Sequence, residues 1–148
     1  MNQLECPSPE TWAERRKWFE ELFDVDRRGG GYIMGEHALG LLVDLQAVFC
    51  SGAWAATIIV SATVIDAHIR EAELPPGFGG GLKAAFEAVS KPEYEWIRLR
   101  RNEFVHFDSR RGPIITVEIQ WDHGEALERD ARRALELVAD ALFAQPWT

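Results

Sequence analysis

The sequence predicts an all-α protein, and three observations carry that expectation. Apolar residues recur at i, i+3, i+4 and i+7 through most of the chain. Glycine- and proline-rich stretches cut these runs into segments of helical length. One stretch alone, IITVEIQW (114–121), alternates with the period of a strand. Residues 1–148 are read as a single domain, because 148 residues suit one hydrophobic core. Six tryptophans and 47% hydrophobic content exclude a disordered chain.

Ser8 or Pro9 opens the first helix, with Glu10 in its first turn. Trp12, Phe19, Leu22 and Phe23 recur on one side of it, and DRRGGGY (26–32) ends it. A second helix spans Glu36 to Cys50, and SGAW is a short break. The third, from about Ala53 to Glu73, is apolar nearly all round in its first half, which marks a central element. LPPGFGGG (74–81) is a loop, and LKAAFEAV is a short fourth helix. Pro92 sits at a first-turn position of the fifth, which is expected to stop near DSRRGP. Ile115, Val117, Ile119 and Trp121 alternate with polar residues, so a half-buried strand or extended arm is expected over about 114–121. Asp122 or Gly124 then caps a final helix to Ala144, whose stripe is Leu127, Ala131, Leu135, Val138 and Leu142. The expected architecture is a four- to five-helix bundle with one short extended or β insertion.

Composition excludes several functions. The longest apolar run, Ala53 to Ile65, has 13 residues where a membrane span needs about 20, so no membrane is predicted. MNQLECPSPE lacks the basic start and apolar run of a secretory signal, and the expectation is a cytoplasmic protein. Cys6 and Cys50 are too few for a disulfide scaffold. His37, His68, His106 and His123 have no HxH or HExxH spacing, so no metal and no cofactor are predicted. GFGGG lacks the Lys-Ser/Thr that a phosphate loop needs. A net charge of −8 argues against a general nucleic-acid coat protein, whose grip rests on many phosphate contacts.

The charge is uneven, however. Residues 98–111 hold five arginines (98, 100, 101, 110, 111) against Glu103 and Asp108, five minus two, a local +3. Within them lies LRRNEFVHFD (99–108). On an ideal helix Arg98, Asn102 and His106 fall at i, i+4 and i+8 on one polar stripe, while Trp96, Ile97, Leu99, Phe104 and Phe107 form the packed side. Arg101 is about 140° from His106, so its long side chain or a loosened last turn has to bring the two together. Imidazole, amide and guanidinium are the parts needed for metal-free cleavage of a phosphodiester. Histidine moves the proton of the 2′-hydroxyl or the leaving oxygen. Arginine steadies charge on the phosphorus oxygens, and asparagine orients the imidazole or binds a phosphate oxygen. Trp96 and Tyr94 are candidate base-stacking surfaces, although Trp96 is more simply core. Arginines on a helix face are also commonly solvated or paired to neighbouring acids, which gives these residues a plain structural reading as well.

Arg101-Asn102-x-x-x-His106 resembles the signature of the HEPN family, an arginine, commonly followed by a polar residue, with four to six positions between it and a histidine. Arg101 fits with four intervening residues and Arg100 with five; Asn102 makes Arg101 the better match. The apolar helix GAWAATIIVSATVIDAHIRE is similar to HEPN central helices, with Asp66 matching the acidic residue near their end. The order of elements agrees from about Glu36 to Ala144. The resemblance implies a homodimer whose two motifs line one cleft, and a metal-independent endoribonuclease of the toxin or defence type. Arg101, Asn102 and His106 would be catalytic, with Asp66, Arg98 and Arg100 in support. Asp66 is also most simply an ion-pair partner of Arg70. RNA is the implied substrate, and an antitoxin or regulatory protein a further partner. The alternative it implies is a non-catalytic HEPN-like binding or dimerisation module. A plain helical interaction protein is the third reading. Two features depart from the family. Asp108 stands where toxins silenced on a tyrosine carry that tyrosine, and PIITVEIQW is not a usual part of the bundle.

Overall fold

Eight helical segments follow one another in the computed structural model, which describes residues 6–32, 34–122 and 124–144. They are α1 (Pro9–Leu22), α2 (Val25–Arg28), α3 (Glu36–Ser51), α4 (Trp54–Ala72), α5 (Leu82–Val89), α6 (Pro92–Val105), α7 (Val117–Asp122) and α8 (Gly124–Phe143). The fold is all-α, as predicted, with eight segments where a bundle of four to five was expected; α2 and α7 are short extra turns and α5 is a further short helix of eight residues.

The boundaries follow local chemistry. The Ser8 hydroxyl accepts the Thr11 N–H at 3.1 Å and Pro9 occupies the first turn, so α1 starts where a cap and a pre-set φ coincide. Gly52, at φ +82°, ends α3 in the left-handed conformation that costs glycine nothing. Arg15 donates to the Cys50 carbonyl at 3.1 Å, satisfying one of the orphan acceptors of that helix end.

α4 is the central element, packed against α3, α5, α6 and α8. Ile58, Ala62, Val64, Ile65 and Ile69 are fully enclosed there. The stripe read from α8 lies against it, with Leu127, Ala131, Leu135, Val138 and Leu142 all buried. Phe49 of α3 closes one end of the core among the rings of Trp18, Phe19 and Trp54, at centroid separations of 5.2, 6.3 and 5.8 Å.

One expected element is corrected. Residues 114–121 are not an extended insertion: 117–122 are helical, and no strand occurs among the described residues. The Thr116 hydroxyl accepts the Ile119 N–H at 3.1 Å, and the Thr116 carbonyl accepts the Gln120 N–H at 3.0 Å. Ile115 and Ile119, four apart, both pack on the core, while Val117 between them is exposed. Alternation and the i, i+4 pair are the same residues counted two ways. Without a partner strand, only the helix satisfies the backbone polar groups. Asp122, one of the two expected caps of the final helix, instead closes α7, and Gly124, the other, is the first residue of α8; His123 lies outside the described residues.

Candidate functional site

α6 carries the candidate residues. Lys91 precedes it, Pro92 occupies its first turn, and Glu93 and Glu95 favour the positive end of its dipole. Ile97 and Tyr94 are buried, and Trp96 and Phe104 pack partly against the core. The helix stops at Val105. His106 is its cap, with an extended backbone (φ −117°, ψ 108°), and is exposed. The termination lies in Asp108. Its carboxylate accepts the Arg110 N–H at 2.9 Å and its carbonyl accepts the N–H groups of Arg111 and Gly112. Such an Asx turn competes with continued helix. The Arg110 guanidinium, and then its backbone N–H, hold the Asp108 carboxyl below the ordinary carboxylate value.

This stop changes the geometry read from an ideal helix. His106 keeps the last i to i−4 backbone bond of α6, and the chain leaves the helix after it. Asn102 bonds to both Arg101 and His106. Its side-chain oxygen accepts from Arg101 Nη1 at 2.9 Å, while its backbone carbonyl accepts the His106 N–H at 3.0 Å. The first bond joins two side chains at the end of α6; the second is the ordinary backbone bond of the helix end and fixes the His106 main chain, not its imidazole. Among the described residues the His106 imidazole makes no hydrogen bond, which leaves both ring nitrogens open.

The supporting residues go elsewhere. Arg100 turns to α8, donating to Asp130 at 3.0 Å and to Glu103 at 2.7 Å, with its guanidinium 4.7 Å above the Phe104 ring. Arg98 pairs with Glu95 at 2.9 Å and lines a hollow at the α5–α6 turn with Phe86, Ser90 and Lys91. Asp66 is bonded by Arg70 at 2.8 Å, and Arg70 also donates to the carbonyls of Gly80 and Gly81. That ion pair ties the 74–81 loop to α4, and no bond joins Asp66 to Arg101 among the described residues.

Most of the 13 arginines are similarly engaged by a carboxylate, carbonyl or ring. Arg28 pairs with Asp140, Arg132 with Glu128 beneath the Trp18 ring, and Arg133 lies 3.9 Å over Trp96. Among the described residues Arg101, Arg111 and Arg129 have no carboxylate or ring partner. Two of those three belong to the +3 segment.

The aromatic residues are the further correction. Tyr94 is buried, which pushes its phenol well above the ordinary value, with Glu73 adding to the shift. Trp96 is covered by Arg133. Neither offers an open ring. Phe107, expected on the packed side, is instead 75% exposed, and Leu99 is 48% exposed. An ideal helix continued through 107 puts Phe107 on the packed side, but α6 ends at Val105; Leu99 lies within α6 and still faces water. Asp108 followed by Gly112 is the local sequence signal for that stop.

No helix among the described residues is long and apolar enough to cross a membrane. No group of three His, Cys, Asp or Glu side chains among them is placed to hold a metal. No family model matches the chain, and no curated protein or solved structure matches it.

Proposed function

We propose that the protein is a metal-independent endoribonuclease of the HEPN type, of the toxin or defence kind, acting as a homodimer with the Arg101–Asn102–His106 groups of two copies at one cleft. The observation that carries this reading is the contrast between neighbours. Arg98 and Arg100 are held by carboxylates, whereas Arg101 is held by an amide and His106 is exposed with its ring open. A guanidinium without a carboxylate keeps its full charge for an incoming phosphate.

In the proposed reaction the ribose 2′-oxygen bonds to phosphorus and the bond to the 5′-oxygen breaks. A 2′,3′-cyclic phosphate and a 5′-hydroxyl result. The proton lost by the 2′-oxygen goes to an imidazole, and an imidazolium returns one to the departing 5′-oxygen. Two copies would supply two imidazoles for these two transfers. Arg101 would bind the phosphorus oxygens as charge grows on them, while Asn102 keeps both partners in place.

The test is RNA cleavage in EDTA by the wild type and by His106→Ala. Cleavage that survives EDTA and falls about 10²- to 10⁴-fold in the variant supports the enzyme. RNA binding without cleavage would favour the binding module instead.

A further inference from the structure

We propose that Phe107 is a base-stacking platform, and that the site takes single-stranded RNA with one unpaired base laid on that ring beside the phosphate held by Arg101; this rests on the ribonuclease reading. The sequence has eight phenylalanines, and all lie within the described residues. Phe19, Phe49 and Phe86 are buried and Phe23, Phe78, Phe104 and Phe143 are partly so; only Phe107 is open to water, at 75% exposure. It lies two residues past the end of α6, directly before the Asp108 turn.

Its setting points to an anionic aromatic ligand. Phe107 stands between the Arg101–Asn102–His106 group and the turn that presents Arg110 and Arg111. Arg110 is engaged by Asp108, whereas Arg111 is exposed with no carboxylate partner among the described residues. A polynucleotide supplies a flat face for the ring and phosphates for the arginines. Every base has such a face, so the contact tolerates sequence. Paired bases in a duplex keep theirs covered, so it demands a single strand.

Extended backbone at His106 sends successive side chains to opposite sides. The ring and the imidazole therefore point apart, and in this proposal the ring holds a base and takes no part in the reaction. Phe107 is a binding residue, and its loss should raise KM while leaving kcat alone.

The experiment measures fluorescence anisotropy in EDTA with a short labelled single strand of 2′-O-methyl ribonucleotides, which has no free 2′-hydroxyl for attack. The same strand annealed into a duplex is the control. Phe107→Ala should weaken single-strand binding about 5- to 150-fold, the range one base–aromatic stack spans. Phe107→Tyr should restore it and Phe107→Leu should not, with kcat on cleavable RNA unchanged in all three. Leucine binding as well as phenylalanine would overturn the proposal, because the contact would then be merely apolar. A dimer that becomes a monomer in Phe107→Ala by sedimentation would also overturn it, since the ring would be a subunit contact. Cleavage that depends on His106 but binding indifferent to Phe107 sinks the platform and leaves the ribonuclease standing. Phe107-dependent binding without any cleavage supports the platform and sinks the ribonuclease. A wild type that does not bind RNA sinks both.

Discussion

Arg100 and Arg101 are consecutive in the chain and should behave oppositely when each is replaced by alanine. Arg100 joins α6 to α8 through Asp130 at 3.0 Å, holds Glu103 at 2.7 Å, and covers the Phe104 ring at 4.7 Å. The three charged side chains are between about a quarter and a third exposed, so the pair lies between two limits. Fully exposed pairs contribute about 0–1 kcal/mol, and removing one partner of a buried pair costs about 3–5 kcal/mol. The ring contact adds about 0.5–2 kcal/mol. Arg100→Ala should then lose about 1–3 kcal/mol, which for a chain of this length lowers Tm by about 3–10 °C. Arg101 donates to Asn102, its neighbour on the same helix, and ties no second element. Its replacement should stay within about 0.5 kcal/mol, a Tm change below about 2 °C. RNA cleavage by Arg101→Ala should nonetheless fall about 10²- to 10³-fold, as when a transition-state donor is removed. Thermal unfolding followed by circular dichroism, beside the cleavage assay, reads both quantities on the same samples. Arg101→Ala melting as early as Arg100→Ala, or Arg100→Ala losing cleavage without losing stability, would refute the division of roles.

Two predictions concern the core. His68 is buried at 6% exposure with Nδ1 unpartnered, and burial lowers its pKa from 6.5; Lys91 lowers it further, while Glu73, Glu71 and the Ala141 carbonyl oppose. Below pH 6.5 the unfolded chain takes up a proton that the folded one refuses, so stability should fall as the pH drops, by at most about 1.4 kcal/mol per unit for this one group. Denaturant melts between pH 7.5 and 5 should show a flatter slope in His68→Gln, and an unchanged slope would reject the assignment. Phe49→Ala removes a fully enclosed ring that touches Trp18, Phe19 and Trp54 and should cost about 3–5 kcal/mol, a Tm loss on the order of 10 °C. A loss under about 1 kcal/mol in urea melts would show that this end of the core collapses around the gap.

What the chain alone determined is local. The spacing of apolar residues in α4 and α8, the cap at Ser8 and the breaks at Gly52 and 74–81 each follow from a residue and its near neighbours, so helix after helix was legible. The resemblance to a family signature was likewise local, resting on one arginine, one asparagine and one histidine at short spacing. Tertiary structure decided the rest, because it depends on which partner a side chain meets across the fold. A lone segment from Ile115 onward could alternate or coil until no neighbouring strand was there to receive it. Arg100 and Arg101 both met the motif spacing, with Asn102 favouring Arg101, and only the fold brought Asp130, thirty residues on, to engage Arg100. Phe107 belonged to the packed side only while the helix ran past it, and the bonds around Asp108 are what set it in water beside His106.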